Sequence, residues 1–272
     1  MTLPLPPHSP DAVRTRLFDA ITSVGDEAVA LLAGRDGGTP IPGAEWTVAE
    51  AAAHLAMANE LMAALAAGEE RRYGDGTPGS LAAANAASLA ERPERDLAVL
   101  GAEIAARARE FTAAAGPRAG SDPVVTPLGP MDLDTLGAYL LTHMLGHLYD
   151  VAVALGRPHP IDRGRVGLTM PFLRTAMPRV VDPRSAAGHD ACYRLRIRGG
   201  DGFAVTFTDG AAVVSDRPPR RPDCTISTEP VAFFLIALGR YTATTALARG
   251  KVLAWGRRPW LAPAFPGLFA AP

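Results

Sequence analysis

Apolar residues in the first 160 positions recur every three or four residues, and beyond them the pattern turns to strict alternation. Leu17, Ile21, Val24, Ala28 and Leu31 share one side of a 3.6-residue helix, so the spacing predicts a first helix over about 11–33. Gly34, Gly37, Gly38, Pro40 and Pro42 break it. Thr47 and Glu50 stand three apart at the head of the next apolar run. They form a capping box, in which each side chain can bond the other's free backbone N–H, and the helix is expected to reach about Ala67. A Gly- and charge-rich loop follows, then more helix over about 80–115, bent near Pro93. Residues 116–132, with Pro117, Pro123, Pro127, Gly129 and Pro130, read as a loop. Asp132 or Asp134 can cap a further helix that runs to Leu155, where Gly156 and Pro158 end it. Four main helical segments are enough for a four-helix bundle.

The later block alternates. Tyr193, Leu195 and Ile197 interleave with Arg194, Arg196 and Arg198, and after a Gly-rich turn Phe203, Val205 and Phe207 continue in the same way. This predicts a hairpin with one buried face, its arginine row being the wet side of a sheet. Strands are expected over 211–215, 223–227 and 251–255, and helices over 229–239 and 242–249. The fold class is therefore an α-helical bundle, residues 1–160, followed by a smaller α+β domain, residues 161–272.

Composition narrows the function. Of 272 residues 48% are hydrophobic and 20% charged, with a formal net charge of -1, which argues against a nucleic-acid partner. The nearest thing to a basic cluster, Arg217 with Arg220 and Arg221, sits among prolines and reads as a solvated loop. The opening MTLPLPPHSP has no Lys or Arg and no apolar core, so no secretory signal is expected. The Ala-rich run over 51–67 is interrupted by His54, Asn59 and Glu60 and falls short of the roughly 18 apolar residues a membrane span needs. A cytoplasmic protein with no membrane partner is expected, monomer or homodimer. Cys192 and Cys224 form no C-x-x-C pair and fall in predicted strands, where a free thiol is a small buried hydrophobe.

The chemistry is carried by histidines. His143 and His147 lie one turn apart on the stripe that also holds Leu136, Leu140 and Ala154. Two imidazoles on an apolar stripe need partners, because a buried polar group without one is costly. A shared divalent metal ion, with zinc the best fit, is such a partner, and His54 on the second helix can supply a third ligand. Three neutral imidazoles leave the ion an open position, which can activate a water or a thiol. The pair is only half of an H-E-x-x-H protease motif, since Met144 stands where the general-base glutamate belongs. Asp150, three residues past His147, could accept the second ring N–H of a ligand histidine and orient it. It could equally be an ion-pair partner at a helix end, or a fourth ligand closing the site.

Trp46-Thr47-Val48-Ala49-Glu50 with Ala53-His54-Leu55-Ala56, and His143-x3-His147-x2-Asp150 followed by Ala154-Leu155-Gly156-Arg157-Pro158, resemble the ligand helices of the mycothiol-dependent maleylpyruvate isomerase group of DinB-like metalloproteins. Residues 223–240, Arg249-Gly250-Lys251 and Trp255-Gly256 resemble the sterol-carrier-like domain fused to such enzymes. The resemblance implies a zinc-binding bundle, mycothiol or a similar low-molecular-weight thiol as cofactor, and a small-molecule electrophile as substrate. His143 stands where the isomerase pattern has a glutamate, which makes the triad all-histidine, as in thiol-transferase-type members. Arg240 matches an arginine that reaches from the second domain of such enzymes, where it would hold a carboxylate of substrate or cofactor. A thiol S-transferase or thiol-dependent isomerase is the leading expectation. A metal-dependent hydrolase, and a non-catalytic ligand-binding protein with a structural metal, are the alternatives.

Overall fold

The computed structural model describes residues 9–75 and 77–270, and the chain divides into two compact units between Ile161 and Asp162. The opening segment read for a secretory signal, His8 included, lies mostly outside the described residues.

Four helices build the core of the first unit: α1 (Pro10–Leu32), α2 (Val48–Ala66), α4 (Leu97–Ala115) and α5 (Leu133–Ala154). α1 and α2 each pack against both α4 and α5. Ser9 caps α1, and its stripe of Leu17, Ile21, Val24, Ala28 and Leu32 is buried. A β-carbon at Gly25 would come within 3.1 Å of the Ala105 backbone, so this glycine lets α1 and α4 approach closely. The Thr47–Glu50 capping box is present at the head of α2. Of the two aspartates considered for α5, Asp132 is the cap, accepting from the Thr135 N–H at 2.7 Å. Asp134 instead pairs with Arg14, 3.3 Å away, whose guanidinium also donates to the Ala115 carbonyl and so ties three helices together.

Two sequence expectations are corrected here. The bent helix near Pro93 is two separate helices, α3 (Leu81–Glu91) and α4. Between them Arg95 donates to the carbonyls of Leu89, Arg92 and Glu94, and Asp96 caps a fresh helix start. The proline-rich loop 116–132 contains an antiparallel hairpin, β1 (Pro123–Thr126) and β2 (Gly129–Asp132). Pro123 and Pro130 are compatible with it because a two-stranded ribbon is all edge.

The second unit opens with a helix the sequence pattern did not suggest, α6 (Arg163–Ala176), which contains Pro171. A five-stranded sheet follows in the order β5 (Ala211–Ser215), β4 (Gly202–Thr208), β3 (Ala191–Ile197), β6 (Cys224–Thr228), β7 (Val252–Trp255), with only β3–β6 parallel. Tyr193, Leu195, Phe203, Val205, Phe207 and Ile226 are buried, and Phe203 meets Phe233 of α7 (Pro230–Ala237) edge-on. Helix α8 (Ala243–Ala248) leads into β7. Arg194 and Arg196 lie exposed on the opposite face, with the Arg196 guanidinium 5.9 Å from the Trp255 ring. Both cysteines are buried free thiols, and burial pushes that of Cys224 up to about 11. Arg217, Arg220 and Arg221 lie exposed in the loop after β5, as the sequence reading has it, and the Arg220 guanidinium spans Asp190 and the buried Asp223, each at 2.8 Å. Among the described residues no helix is long and apolar enough to cross a membrane.

Candidate metal centre

His54 sits in the middle of α2, and His143 and His147 sit one turn apart on α5, the helix α2 packs against. Helix phase therefore decides the site: both caps are fixed by side chains, and the register they set turns all three imidazoles to one point. One ligand nitrogen from each histidine lies within 4.8 Å of the others. His54 Nε2 and His143 Nε2 are 3.0 Å apart, and the ring centroids are separated by 4.6–4.9 Å.

This arrangement fits a metal ion. Two nitrogens bound tetrahedrally at the usual zinc–nitrogen distance stand about 3.3 Å apart, close to the observed spacing. His54 is 3% exposed, and burial lowers its pKa to about 4, so its imidazole is neutral and has a lone pair to give at pH 7. His143 and His147 are half-buried. The donor set, three imidazoles from two rigid helices, is typical of a centre that keeps a fourth position open.

Asp150 Oδ2 lies 3.9 Å from His147 Nδ1, an ion-pair approach longer than a hydrogen bond. Met144 is fully buried, so no carboxylate occupies the place of a protease general base on α5. Arg240 follows α7 in a Schellman turn. Gly239 is left-handed at φ 73°, the Arg240 N–H reaches the Leu235 carbonyl at 2.8 Å, and the Gly239 N–H reaches Ile236 at 3.0 Å. The Arg240 guanidinium donates to the Leu238 carbonyl, as a cation at a helix C-terminus does. His159 and His189 are engaged elsewhere: His159 Nδ1 accepts from the Ile161 N–H at 3.3 Å, and His189 Nε2 pairs with the Tyr193 hydroxyl at 2.9 Å.

Two further side chains border the triad: Tyr139, which the sequence reading leaves out, and Trp46, which it names only as the head of the α2 motif. The ring of Tyr139, one turn before His143, stands edge-on to it at 6.4 Å, and burial pushes its hydroxyl pKa well above the ordinary range, so the phenol keeps its proton. Its four-residue spacing from His143 was the available signal. Trp46 packs on both His54 and His147. It lies just before the α2 cap, where an apolar residue ordinarily signals only a hydrophobic staple.

The family profile described as mycothiol maleylpyruvate isomerase N-terminal domain matches residues 18–152, and that of the SCP-2 sterol transfer family matches residues 175–256. Among solved structures, the chain is similar to a histidine-to-alanine mutant of mycothiol-dependent maleylpyruvate isomerase. The two share 16% identity over 89% of this chain and 91% of that chain, with a TM-score of 0.51. The unmutated enzyme gives the same identity and coverage with a TM-score of 0.48. The ubiquinone synthesis protein UbiJ-SCP2 is 18% identical over 36% of this chain and 85% of its own, with a TM-score of 0.29. At these identities the likeness concerns fold. No curated protein sequence matches the chain.

Proposed function

From a chain that belongs to the mycothiol maleylpyruvate isomerase family in its helical unit and to the SCP-2 sterol transfer family in its second, we propose an enzyme that uses one divalent metal ion, zinc by preference, and a mycothiol-type thiol to act on a small electrophile, by S-transfer or isomerisation. The observation that carries this reading is the convergence of three imidazoles on one point, with Met144 in place of a general base.

His54, His143 and His147 would hold the divalent ion, which would supply the positive charge that favours thiolate over thiol near neutral pH. The chain's own part is to keep those imidazoles neutral and aimed. Burial keeps His54 neutral, and Asp150, 3.9 Å from His147 Nδ1, is assigned to orient that ring. Because all three ligands are neutral, none offsets the ion's charge as a carboxylate would. This favours an anionic thiolate and inclines the reading toward S-transfer. Arg240 is assigned to an anionic group of substrate or cofactor, its planar fork giving up the Leu238 carbonyl for a bidentate bond.

Turnover of maleylpyruvate and of an activated aryl halide, each with and without mycothiol, tests the assignment. At least about a hundredfold dependence on the thiol is expected, the size of effect an activated nucleophile supplies. Equal turnover without thiol would point to hydrolysis, and no turnover by fully metallated protein would point to a structural metal. Arg240→Lys, which keeps charge and loses the fork, is expected to lower kcat/KM at least about tenfold at unchanged metal content and thermal stability. Full activity in that variant would leave Arg240 as a helix-end residue.

A further inference from the structure

The indole centroid of Trp46 stands 4.9 Å from that of the His54 ring, with the planes tilted by 49°, and 5.9 Å from that of His147, nearly parallel at 27°. One side chain outside the ligand set thus packs beside two of the histidines, which come from different helices. Trp46 is itself held firmly. Its carbonyl accepts from the Ile41 N–H at 2.9 Å, Thr47 bridges to Pro40, and the Val48 and Ala49 N–H groups reach the carbonyls of Thr39 and Gly37. Thr47 then locks the start of α2 through its box with Glu50. The segment 37–47 is a hydrogen-bonded strap whose last residue before the cap lies on the metal centre.

A staple residue at this position needs only apolar area, and it packs on the first turn of its own helix. Trp46 instead reaches His54, on the second turn, and His147 on α5. Imidazole ligands can swing about their terminal torsion, and an aromatic plane laid on them removes that freedom. Ligation also draws electron density from the rings, which strengthens their attraction to the indole face.

We propose that Trp46 is a positioning residue of the centre, clamping the imidazoles of His54 and His147 in their ligand orientation and shielding that side from water. The inference rests on the three-histidine reading of the site.

Cobalt(II) is the probe, since its d–d absorption reports ligand geometry. Titrated into metal-free protein, it should bind the wild type at one equivalent and quench part of the tryptophan emission. Trp46 is the only tryptophan of the helical unit, because Trp255 and Trp260 lie in the second. Trp46→Phe keeps an aromatic face and should bind within about threefold of wild type, with that quenching lost. Trp46→Leu keeps apolar bulk without the face and should bind at least about tenfold more weakly, with a shifted d–d band, as removal of a supporting partner does elsewhere. Equal loss in both variants supports the clamp, with the full indole area required. Wild-type affinity and spectrum in Trp46→Leu would overturn the clamp and leave the metal site standing, whereas a wild type that takes up no cobalt would overturn both. Circular dichroism checks the fold, and Trp46→Met repeats the test if the leucine variant does not fold.

Discussion

Replacing His147 by alanine is expected to empty the metal centre and reduce thiol-dependent turnover to background. Structural zinc in small proteins binds with roughly 12 kcal/mol of apparent free energy, so three equal ligands would carry about 4 kcal/mol each. Losing one then weakens binding by about a thousandfold. The fold should survive, since His147 lies half-buried on a helix otherwise held by Leu136, Leu140, Leu141, Met144, Leu145, Leu148 and Val151. Two measurements separate ligand loss from unfolding. Elemental analysis of untagged protein should give about one ion per chain for wild type and close to none for the variant. Zinc added to metal-free wild type at a thousandfold excess over Kd should stabilise it by about 4 kcal/mol, read as a raised melting temperature, and leave the variant unmoved. His189→Ala should behave as wild type in both, because its ring is paired with Tyr193 in the other unit. Metal content that stays at one per chain in His147→Ala would remove the site from the account.

The three histidines could be brought together from sequence because the helices that carry them announce themselves. α2 and α5 each begin at a side-chain cap, so the phase of every later residue is fixed, and a four-residue spacing then means a shared face. The sheet's central hairpin is as plain, since Tyr193, Leu195 and Ile197 alternate with arginines that stay in water. What escaped depends on neighbours that sequence does not order. Helix α6 carries Gly164, Gly167 and Pro171, three residues that lower helix propensity, and it is settled by burial of Val166, Thr169, Phe172 and Leu173. The hairpin β1–β2 is made of four-residue strands in a stretch whose prolines spoke for loop. Trp46 belongs to the site only because α5 brings His147 beneath it. Arg220 is solvated as read, but its ion pairs were not legible, because Asp190 is thirty residues away in sequence and Asp223, though near, is buried by strands that no local pattern joins.

Asp223 is where the largest loss of stability outside the metal centre is expected. Its side chain is 1% exposed at the entrance to β6. One carboxylate oxygen accepts from the Cys192 N–H at 2.9 Å and from Arg220 at 2.8 Å, and the other accepts from Arg257 and has Arg258 3.8 Å away. Its backbone closes the same junction, the Asp223 N–H donating to Cys192 and the Arg258 N–H to Asp223, each at 2.7 Å. One residue thereby joins the start of β3, the start of β6 and the loop after β7. Burial alone would push the Asp223 carboxyl up, but the Cys192 N–H, Arg257 and Arg220 together hold it down at about 2. Because its folded pKa is the lower one, this contribution to stability is complete above the ordinary carboxylate range and is lost as pH falls through about 2. Asp223→Ala leaves the Cys192 N–H buried without its acceptor and strips the arginines of their shared anion. Removing one partner from a buried charge cluster costs about 3–5 kcal/mol, and the arginines, being partly exposed, can rehydrate, so the lower end applies. Asp190→Ala removes a carboxylate that is 71% exposed and should cost under about 1 kcal/mol. Urea unfolding of both variants at neutral pH measures the difference, with zinc content as the control, since His54, His143 and His147 lie in the other unit. A cost for Asp223→Ala no larger than that for Asp190→Ala would mean that water replaces the carboxylate and that the strands, rather than the charge cluster, hold this junction.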